Sequence, residues 1–238
     1  MVQNLLILHG WNSQLSRWQA LAAELKKAGF EVFLPVLPGF KNGPKLKQAW
    51  ELADYICWVE KLIKDQKIAQ PIIIGHSFGG QLAAAVALHN QRQLKGLVLA
   101  GAAVIRGQRS FKTSFFYVLA KLGRVVCWLP PFCLLVKPLR RLLYKAAGEK
   151  DYYQAQGFLR PTMQNIINQD LTGQLHKITA PTLILWGEAD RDTPLKQAKQ
   201  LKQLISNSQL KIYPGRHGFI FDQSKKITAD IIKFNQAL

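Results

Sequence analysis

Three separate segments carry side chains that together could perform nucleophilic catalysis. Residues 75–79 read Gly-His-Ser-Phe-Gly, which places Ser77 in a glycine-flanked turn. Asp190 and His217 follow later, each in a short segment that contains glycine. A serine hydroxyl is a weak nucleophile until a base accepts its proton, and the base needs an acceptor that fixes its tautomer. Serine, aspartate and histidine in this chain order suit that task.

The orienting acid and the base both have rivals. Glu188 and Asp192 each lie two residues from Asp190, so either could be the carboxylate that orients His217. The other histidines stand in helical, linker or turn contexts where a structural or solvated position is expected: His9, His76, His89 and His176. Among them, His9 is expected to brace the loop after the first strand, and His76 to be a packing residue.

Acyl transfer also needs hydrogen-bond donors aimed at the developing oxyanion. One donor is expected from the backbone N–H of Phe78, directly after the nucleophile. The other is expected from residues 9–11, His-Gly-Trp, with Trp11 the best candidate. Because both donors would belong to the main chain, the Trp11 and Phe78 side chains remain free to line a pocket.

The elements that must position these residues alternate between strands and helices. Short apolar runs predict strands at 4–8, 30–34, 71–74, 96–99, 182–186 and 210–213. Apolar residues at helical spacing predict helices at 16–28, 49–64, 82–88, 195–205 and from Ile227 onward. This alternation predicts an α/β fold with a mostly parallel sheet between two helical layers. The candidate residues follow predicted strands, at the edge where such sheets bind ligands.

Residues 104–172 interrupt the alternation. They contain no convincing strand, but helical patterns cover 115–128, 134–147 and 152–167. A segment of this length is too long for a simple crossover. We therefore expect a core domain over 1–103 and 173–238 and a helical cap (lid) over 104–172 at the carboxyl edge of the sheet. The alternative is a set of additional packing helices.

Several segments together are similar to the sequence blocks of the α/β-hydrolase superfamily. They are residues 8–11, 37–40, 75–80, 181–190 and 215–217, in order and spread over most of the chain outside 104–172. The chain thus resembles the small bacterial-type esterases and carbon–carbon-bond hydrolases with a helical cap. The resemblance implies hydrolysis of an ester, thioester, amide or activated C–C bond by a serine hydrolase, with no metal and no organic cofactor.

Two departures from this superfamily affect the expectations. Only three residues precede the first predicted strand, where many members have a β-hairpin, so a reduced sheet of about six strands is expected. Residues 41–44 read Lys-Asn-Gly-Pro, where relatives often continue with glycine and serine. That loop borders the pocket in relatives, so the substrate does not transfer by resemblance.

The predicted function is hydrolysis of a carboxylic ester with an apolar acyl or alcohol part, through an acyl-enzyme. Phe40, Phe115 and Trp128 are the candidate pocket residues, and a mostly apolar site suits such a substrate. A carbon–carbon-bond hydrolase or a thioesterase with the same triad is the alternative. A non-catalytic or membrane-surface binding protein of the same fold is the weaker alternative.

Composition limits the partners. The chain has 238 residues, a net charge of +18 and three cysteines without metal-type spacing. Its basic residues are scattered rather than clustered, so no nucleic-acid partner is expected. Residues 104–172 carry eleven basic against three acidic side chains, a composition that could give weak contact with an anionic membrane surface. A soluble lid with a charged outer face is the preferred interpretation. Reduced thiols and the lack of a signal-like start predict a cytoplasmic protein. The oligomeric state stays open.

Overall fold

The computed structural model describes residues 2–11, 13–105 and 157–238, which contain a six-stranded sheet. Its strands are β1 (Asn4–Leu8), β2 (Glu31–Phe33), β3 (Ile72–His76), β4 (Gly96–Ala100), β5 (Thr182–Gly187) and β6 (Ser208–Tyr213). Their order is β2-β1-β3-β4-β5-β6, and every neighbouring pair is parallel. The prediction of a mostly parallel sheet with about six strands is confirmed.

Helices cover both faces of this sheet. They are α1 (Gln19–Lys27), α2 (Leu52–Asp65), α3 (Phe78–Asn90), α4 (Leu159–Asn168), α5 (Leu195–Leu204), α6 (Phe219–Asp222) and α7 (Ser224–Gln236). Short 3-10 turns occupy Leu15–Trp18, Gln91–Gln93 and Thr172–Lys177. Buried residues of α2, α3 and α5 form one core cluster, whereas those of α1, α6 and α7 form the other.

β3 illustrates why the strand sequences are continuously apolar. Ile72 and Ile74 belong to the core cluster on the α1 side, whereas Ile73 belongs to the cluster on the α3 side. All three are fully buried, and each contributes about 1.5–3 kcal/mol relative to an exposed side chain. Both faces of a covered parallel strand therefore need apolar residues, which leaves polar chemistry to the ends of the strands.

The strand order reverses between β1 and β3. The chain runs outward from β1 to β2, then returns to add β3 on the opposite side of β1. In open α/β sheets, ligands bind at the carboxyl ends of the strands next to such a reversal. The segments that leave β1 and β3 here are residues 9–11 and residues 77–78, the two segments singled out by the sequence.

The segment between β4 and β5 is described in part. The helices predicted at 115–128 and 134–147 lie outside the described residues, and α4 overlaps the third predicted stretch, 152–167. The 104–172 cap therefore stays a prediction. Within the described ranges, no helix combines the length and the hydropathy that a bilayer span requires.

Candidate active site

Ser77 occupies the turn between β3 and α3. Its φ of 56° and ψ of −119° fall in a region that non-glycine residues rarely adopt, at a cost of about 1–3 kcal/mol. The surroundings hold it there: its N–H donates to the Ala100 carbonyl at 3.1 Å, and its carbonyl accepts the Ala103 N–H at 3.0 Å. The turn is therefore fixed by hydrogen bonds to the end of β4.

Two glycines allow this turn to press against the end of β1. A Cβ at Gly79 would overlap the carbonyl oxygen of Leu8, so only glycine fits at the start of α3. A Cβ at Gly10 would lie 2.9 Å from the Ser77 Cβ. Ser77 thus lies directly beside the loop that follows β1.

Asp190 and His217 form a hydrogen-bonded pair on the loops after β5 and β6. The His217 Nδ1 lies 2.7 Å from the Asp190 Oδ2. Asp190 is buried and accepts three further bonds at 2.9 Å: from the backbone N–H groups of Asp192 and Thr193 to Oδ1, and from the Thr193 hydroxyl to Oδ2. Four donors therefore fix this carboxylate.

The rival carboxylates are placed differently. The side chains of Glu188 and Asp192 are exposed, and Asp192 contributes its backbone N–H to Asp190. Burial alone would raise the pKa of the Asp190 carboxyl, but the hydrogen bond and charge of His217, together with the Thr193 donors, lower that pKa overall. Asp190 is thus held as a carboxylate facing His217.

His76 links the serine turn to the His217 loop. Its Nε2 lies 2.9 Å from the His217 carbonyl oxygen, and the two rings lie 4.7 Å apart between centroids. Because a carbonyl only accepts, Nε2–H is the donor. Burial, reinforced by His217, lowers the pKa of His76 to about 3. The packing residue expected at this position therefore also makes a neutral, buried cross-link to the backbone of His217.

His9 connects the loop after β1 to the loop after β2. The Leu37 N–H donates to His9 Nε2 at 3.1 Å, so the His9 proton lies on Nδ1, which donates to the Gly10 carbonyl at 2.9 Å. Burial lowers the pKa of His9, against the effect of the Gly10 bond. The ring therefore braces the segment that leads to Trp11.

Trp11 and Phe78 meet at the reversal point of the sheet. Their rings stack with centroids 4.3 Å apart. Phe78 is the first residue of α3, where backbone N–H groups have no acceptor within the helix and the helix dipole favours negative charge. The two backbone segments chosen from the sequence as oxyanion donors thus lie together beside Ser77.

Phe40 completes an aromatic cluster beside the turn. Its ring lies 5.2 Å from Trp11 and 6.3 Å from Phe78, both stacked. Trp11 and Phe40 are partly exposed, whereas Phe78 is fully buried. The Phe78 side chain therefore packs inside the cluster, and the exposed part of the cluster belongs to Trp11 and Phe40. The other candidate pocket residues, Phe115 and Trp128, lie outside the described residues.

The remaining histidines lie elsewhere. His89 Nδ1 lies 2.8 Å from a Glu60 carboxylate oxygen at the surface, and His176 is exposed in a 3-10 turn. Among the residues that the structure describes, one group could offer three metal ligands, namely Asp190, Asp192 and His217. The buried carboxylate oxygens of Asp190 already accept four hydrogen bonds, including the one from His217 Nδ1–H. This donor set suits an acid–base pair better than a metal.

A family model described as serine aminopeptidase, S33, matches residues 2–224. The chain belongs to this family of α/β hydrolases. It is similar to the AB hydrolase superfamily protein YisY of Bacillus subtilis, with 28% identity over 98% of this chain and 91% of that protein. It is also similar to the 2-hydroxy-6-oxononadienedioate/2-hydroxy-6-oxononatrienedioate hydrolase of Cupriavidus pinatubonensis, with 27% identity over 89% of this chain and 78% of that protein.

The fold is shared with many solved structures. One is an esterase from Exiguobacterium antarcticum, which superposes with a TM-score of 0.76 at 20% identity, over 98% of this chain and 92% of that chain. Hydrolase chemistry on an α/β-hydrolase scaffold therefore follows from the family, and the bond cleaved has to be inferred from the site.

Proposed function

We propose that this hydrolase cleaves carboxylic esters with an apolar acyl or alcohol part, with Ser77 as nucleophile, His217 as base and Asp190 as the acid that orients it. The supporting observation is the Asp190–His217 pair, in which the partly exposed His217 ring lies 2.7 Å from the buried Asp190 carboxylate, on the same sheet edge as the strained Ser77 turn. The His76 bond to the His217 carbonyl ties that pair to the residue before Ser77.

The chemistry follows from where the His217 proton lies. Nδ1–H faces Asp190, so Nε2 is the ring nitrogen that is free to accept the Ser77 proton. Ser77 Oγ then attacks the ester carbonyl, and the backbone N–H groups of Trp11 and Phe78 stabilise the oxyanion. His217 returns the proton to the leaving alcohol, and water repeats the sequence on the acyl-enzyme to release the acid.

The aromatic cluster supports an apolar substrate. The Trp11 and Phe40 side chains are partly exposed and stack on each other, and Trp11 follows Gly10, which lies against Ser77. Such a surface binds hydrocarbon and offers few polar groups to a charged acyl chain. The cap over 104–172 belongs to the same proposal, with Phe115 and Trp128 as further pocket residues.

The described end of the cap segment supports this placement. The Trp50 N–H donates to the Thr162 hydroxyl at 2.8 Å, and the Asn165 amide donates to the Trp50 carbonyl at 3.2 Å. These bonds attach α4 to the segment that follows Phe40. The start of α4 also lies against the residue before Phe40, since a Cβ at Gly39 would lie 3.0 Å from a Leu159 methyl carbon.

Cleavage of a carbon–carbon bond is the second candidate, and thioester hydrolysis would use the same residues. The Cupriavidus relative is named as a 2-hydroxy-6-oxononadienedioate/2-hydroxy-6-oxononatrienedioate hydrolase, and the 6-oxo group of such compounds is a ketone. An assay with such a ketone beside an ester and a thioester of equal chain length ranks the three reactions by kcat/KM. The proposal expects the ester to be the best of the three.

A graded series of p-nitrophenyl esters tests the apolar pocket. We expect kcat/KM to rise from acetate to octanoate, because each buried methylene contributes about 0.8 kcal/mol. Phe40→Ala should reduce the octanoate-to-acetate ratio about tenfold by removing apolar contacts. Phe115→Ala and Trp128→Ala should act in the same direction.

The control is Ile212→Ala, which truncates an exposed side chain on the edge strand β6. It should leave the octanoate-to-acetate ratio unchanged. An equal loss on acetate and octanoate in folded Phe40→Ala would show that Phe40 serves the core alone, and the apolar-substrate proposal would then be abandoned.

A further inference from the structure

The hydroxyl of Thr193 belongs to the machinery of the base. We propose that Thr193 is a positioning residue, whose hydroxyl fixes the Asp190 carboxylate and limits how strongly that carboxylate holds protonated His217. The inference rests on the proposed function. Neither the serine motif nor the chain order of the triad points to this residue.

The main chain holds Thr193 rigidly in place. The residue is buried, and its N–H donates to the Asp190 Oδ1 at 2.9 Å. Its carbonyl accepts the indole N–H of Trp186 at 2.7 Å, and Trp186 is fully buried in β5. A residue fixed on both sides of its Cα presents its side chain in a set direction, so the position of the hydroxyl is part of the site.

The single hydroxyl proton has one best acceptor. Thr193 Oγ1 lies 2.9 Å from the Asp190 Oδ2, and 3.2 Å from both the Gly101 carbonyl oxygen and the His217 Nδ1. The carboxylate oxygen is the nearest acceptor and carries charge, so the proton points toward it. If the Thr193 hydroxyl donated to the Gly101 carbonyl instead, a lone pair of its oxygen would face the negatively charged Asp190 Oδ2, which is unfavourable. The His217 Nδ1–H then has Oδ2 as its main acceptor and the hydroxyl oxygen as a second.

This arrangement divides one carboxylate oxygen between two donors. A hydrogen bond from Thr193 stabilises the negative charge on Asp190, so less of that charge acts on the His217 ring. Removal of the hydroxyl should therefore strengthen the attraction of Asp190 for protonated His217. The base would hold its proton to a higher pH, and the carboxylate would lose one of its four donors. A residue needed only for folding would alter stability without moving the pH profile.

The test compares Thr193→Val, which keeps the shape and removes the hydroxyl, with Thr193→Ser, which keeps the hydroxyl. On a p-nitrophenyl ester, Thr193→Val should lower kcat about tenfold, as expected for loss of a hydrogen bond to a charged group. The acid limb of its kcat/KM profile should move up by about half a pH unit. Thr193→Ser should stay within about twofold of wild type in kcat, with an unmoved limb.

Thr193→Ala serves as a second variant, since a valine methyl beside a carboxylate could impair folding; the same shift is expected. Combined with Asp190→Asn, it should add little to the loss caused by Asp190→Asn alone, because both act through one carboxylate. A folded Thr193→Ala enzyme with the wild-type limb, or fully additive losses, would overturn the inference. Failure of the Thr193 inference would leave Ser77-dependent ester hydrolysis intact. Ester hydrolysis that does not depend on Ser77 would overturn the proposed function as well, so the two failures can be told apart.

Discussion

At the scale of single residues, Asp190 differs from the neighbouring acids because its carboxylate is buried and accepts four hydrogen bonds. Three carboxylates lie within five consecutive residues, and two of them are exposed. Only the buried one can keep His217 Nδ1–H out of competition with water. The lowered pKa of Asp190 results from that pairing and from Thr193, against the opposing effect of burial.

Asp190→Asn should therefore reduce kcat by about a thousandfold or more, because an amide cannot fix the required tautomer of the base. Asp192→Asn is the matched control, since it changes an exposed side chain and keeps the backbone N–H that Asp190 accepts. It should stay within about twofold of wild type. The measurement is kcat on an ester with thermal unfolding checked in parallel. If Asp192→Asn lost most of its kcat while Asp190→Asn stayed active, the acid that orients His217 would be Asp192 instead of Asp190.

At the scale of elements, the end of β3 joins the Ser77 turn to the His217 loop. His76 is the last residue of this strand, and its neutral ring bonds to the His217 carbonyl. Burial and the nearby His217 lower the pKa of His76 to about 3, whereas an unfolded chain protonates histidine below about pH 6.5. Between these values the unfolded state binds more protons, so stability falls as pH falls, by up to about 1.4 kcal/mol per pH unit.

Wild type should accordingly lose about 2 kcal/mol of unfolding free energy from this residue between pH 7 and pH 5. His76→Gln removes the titration and keeps a hydrogen-bond donor, so its loss over the same interval should be smaller by about that amount. Urea unfolding at both pH values measures the difference. Asp190 contributes little in this interval. An aspartate in the unfolded chain takes up its proton below about pH 4, and folded Asp190 does so at still lower pH because its pKa is lowered. Parallel losses in the two proteins would show that His76 does not stay neutral when folded.

The elements were predictable from sequence to different extents. β1 has the predicted bounds because a continuous apolar run between polar residues has one interpretation in a covered sheet. α3 begins at Phe78 rather than at the predicted position 82, because glycines at a helix start obscure periodicity while the close approach to β1 requires them. Thr193 left no sequence signal, since a threonine directly after an exposed acid is common in turns.

The site was predictable where main-chain geometry dictates residue type. Glycines flanking Ser77 mark a turn that few other residues permit, and the loops after β5 and β6 had to meet at one edge. The choice among Glu188, Asp190 and Asp192 depended on which side chain points inward. That direction is set by the fold of one short loop, so residue types alone left it open.

The whole molecule combines a net charge of +18 with a partly exposed pair of stacked aromatic side chains, Trp11 and Phe40. Many of the basic residues lie in 104–172. Contact of that segment with an anionic membrane surface stays a prediction, as do the cap itself and a cytoplasmic location.

Covalent labelling of Ser77 tests the central claim, that this chain is a serine hydrolase with that nucleophile. A fluorophosphonate probe should add one adduct per chain to wild type by intact mass, with the adduct on the peptide that contains Ser77. Ser77→Ala should fold, take up no label and lose ester turnover by about a thousandfold or more. A labelled Ser77→Ala protein, or one that keeps more than about a tenth of wild-type turnover, would contradict the assigned mechanism.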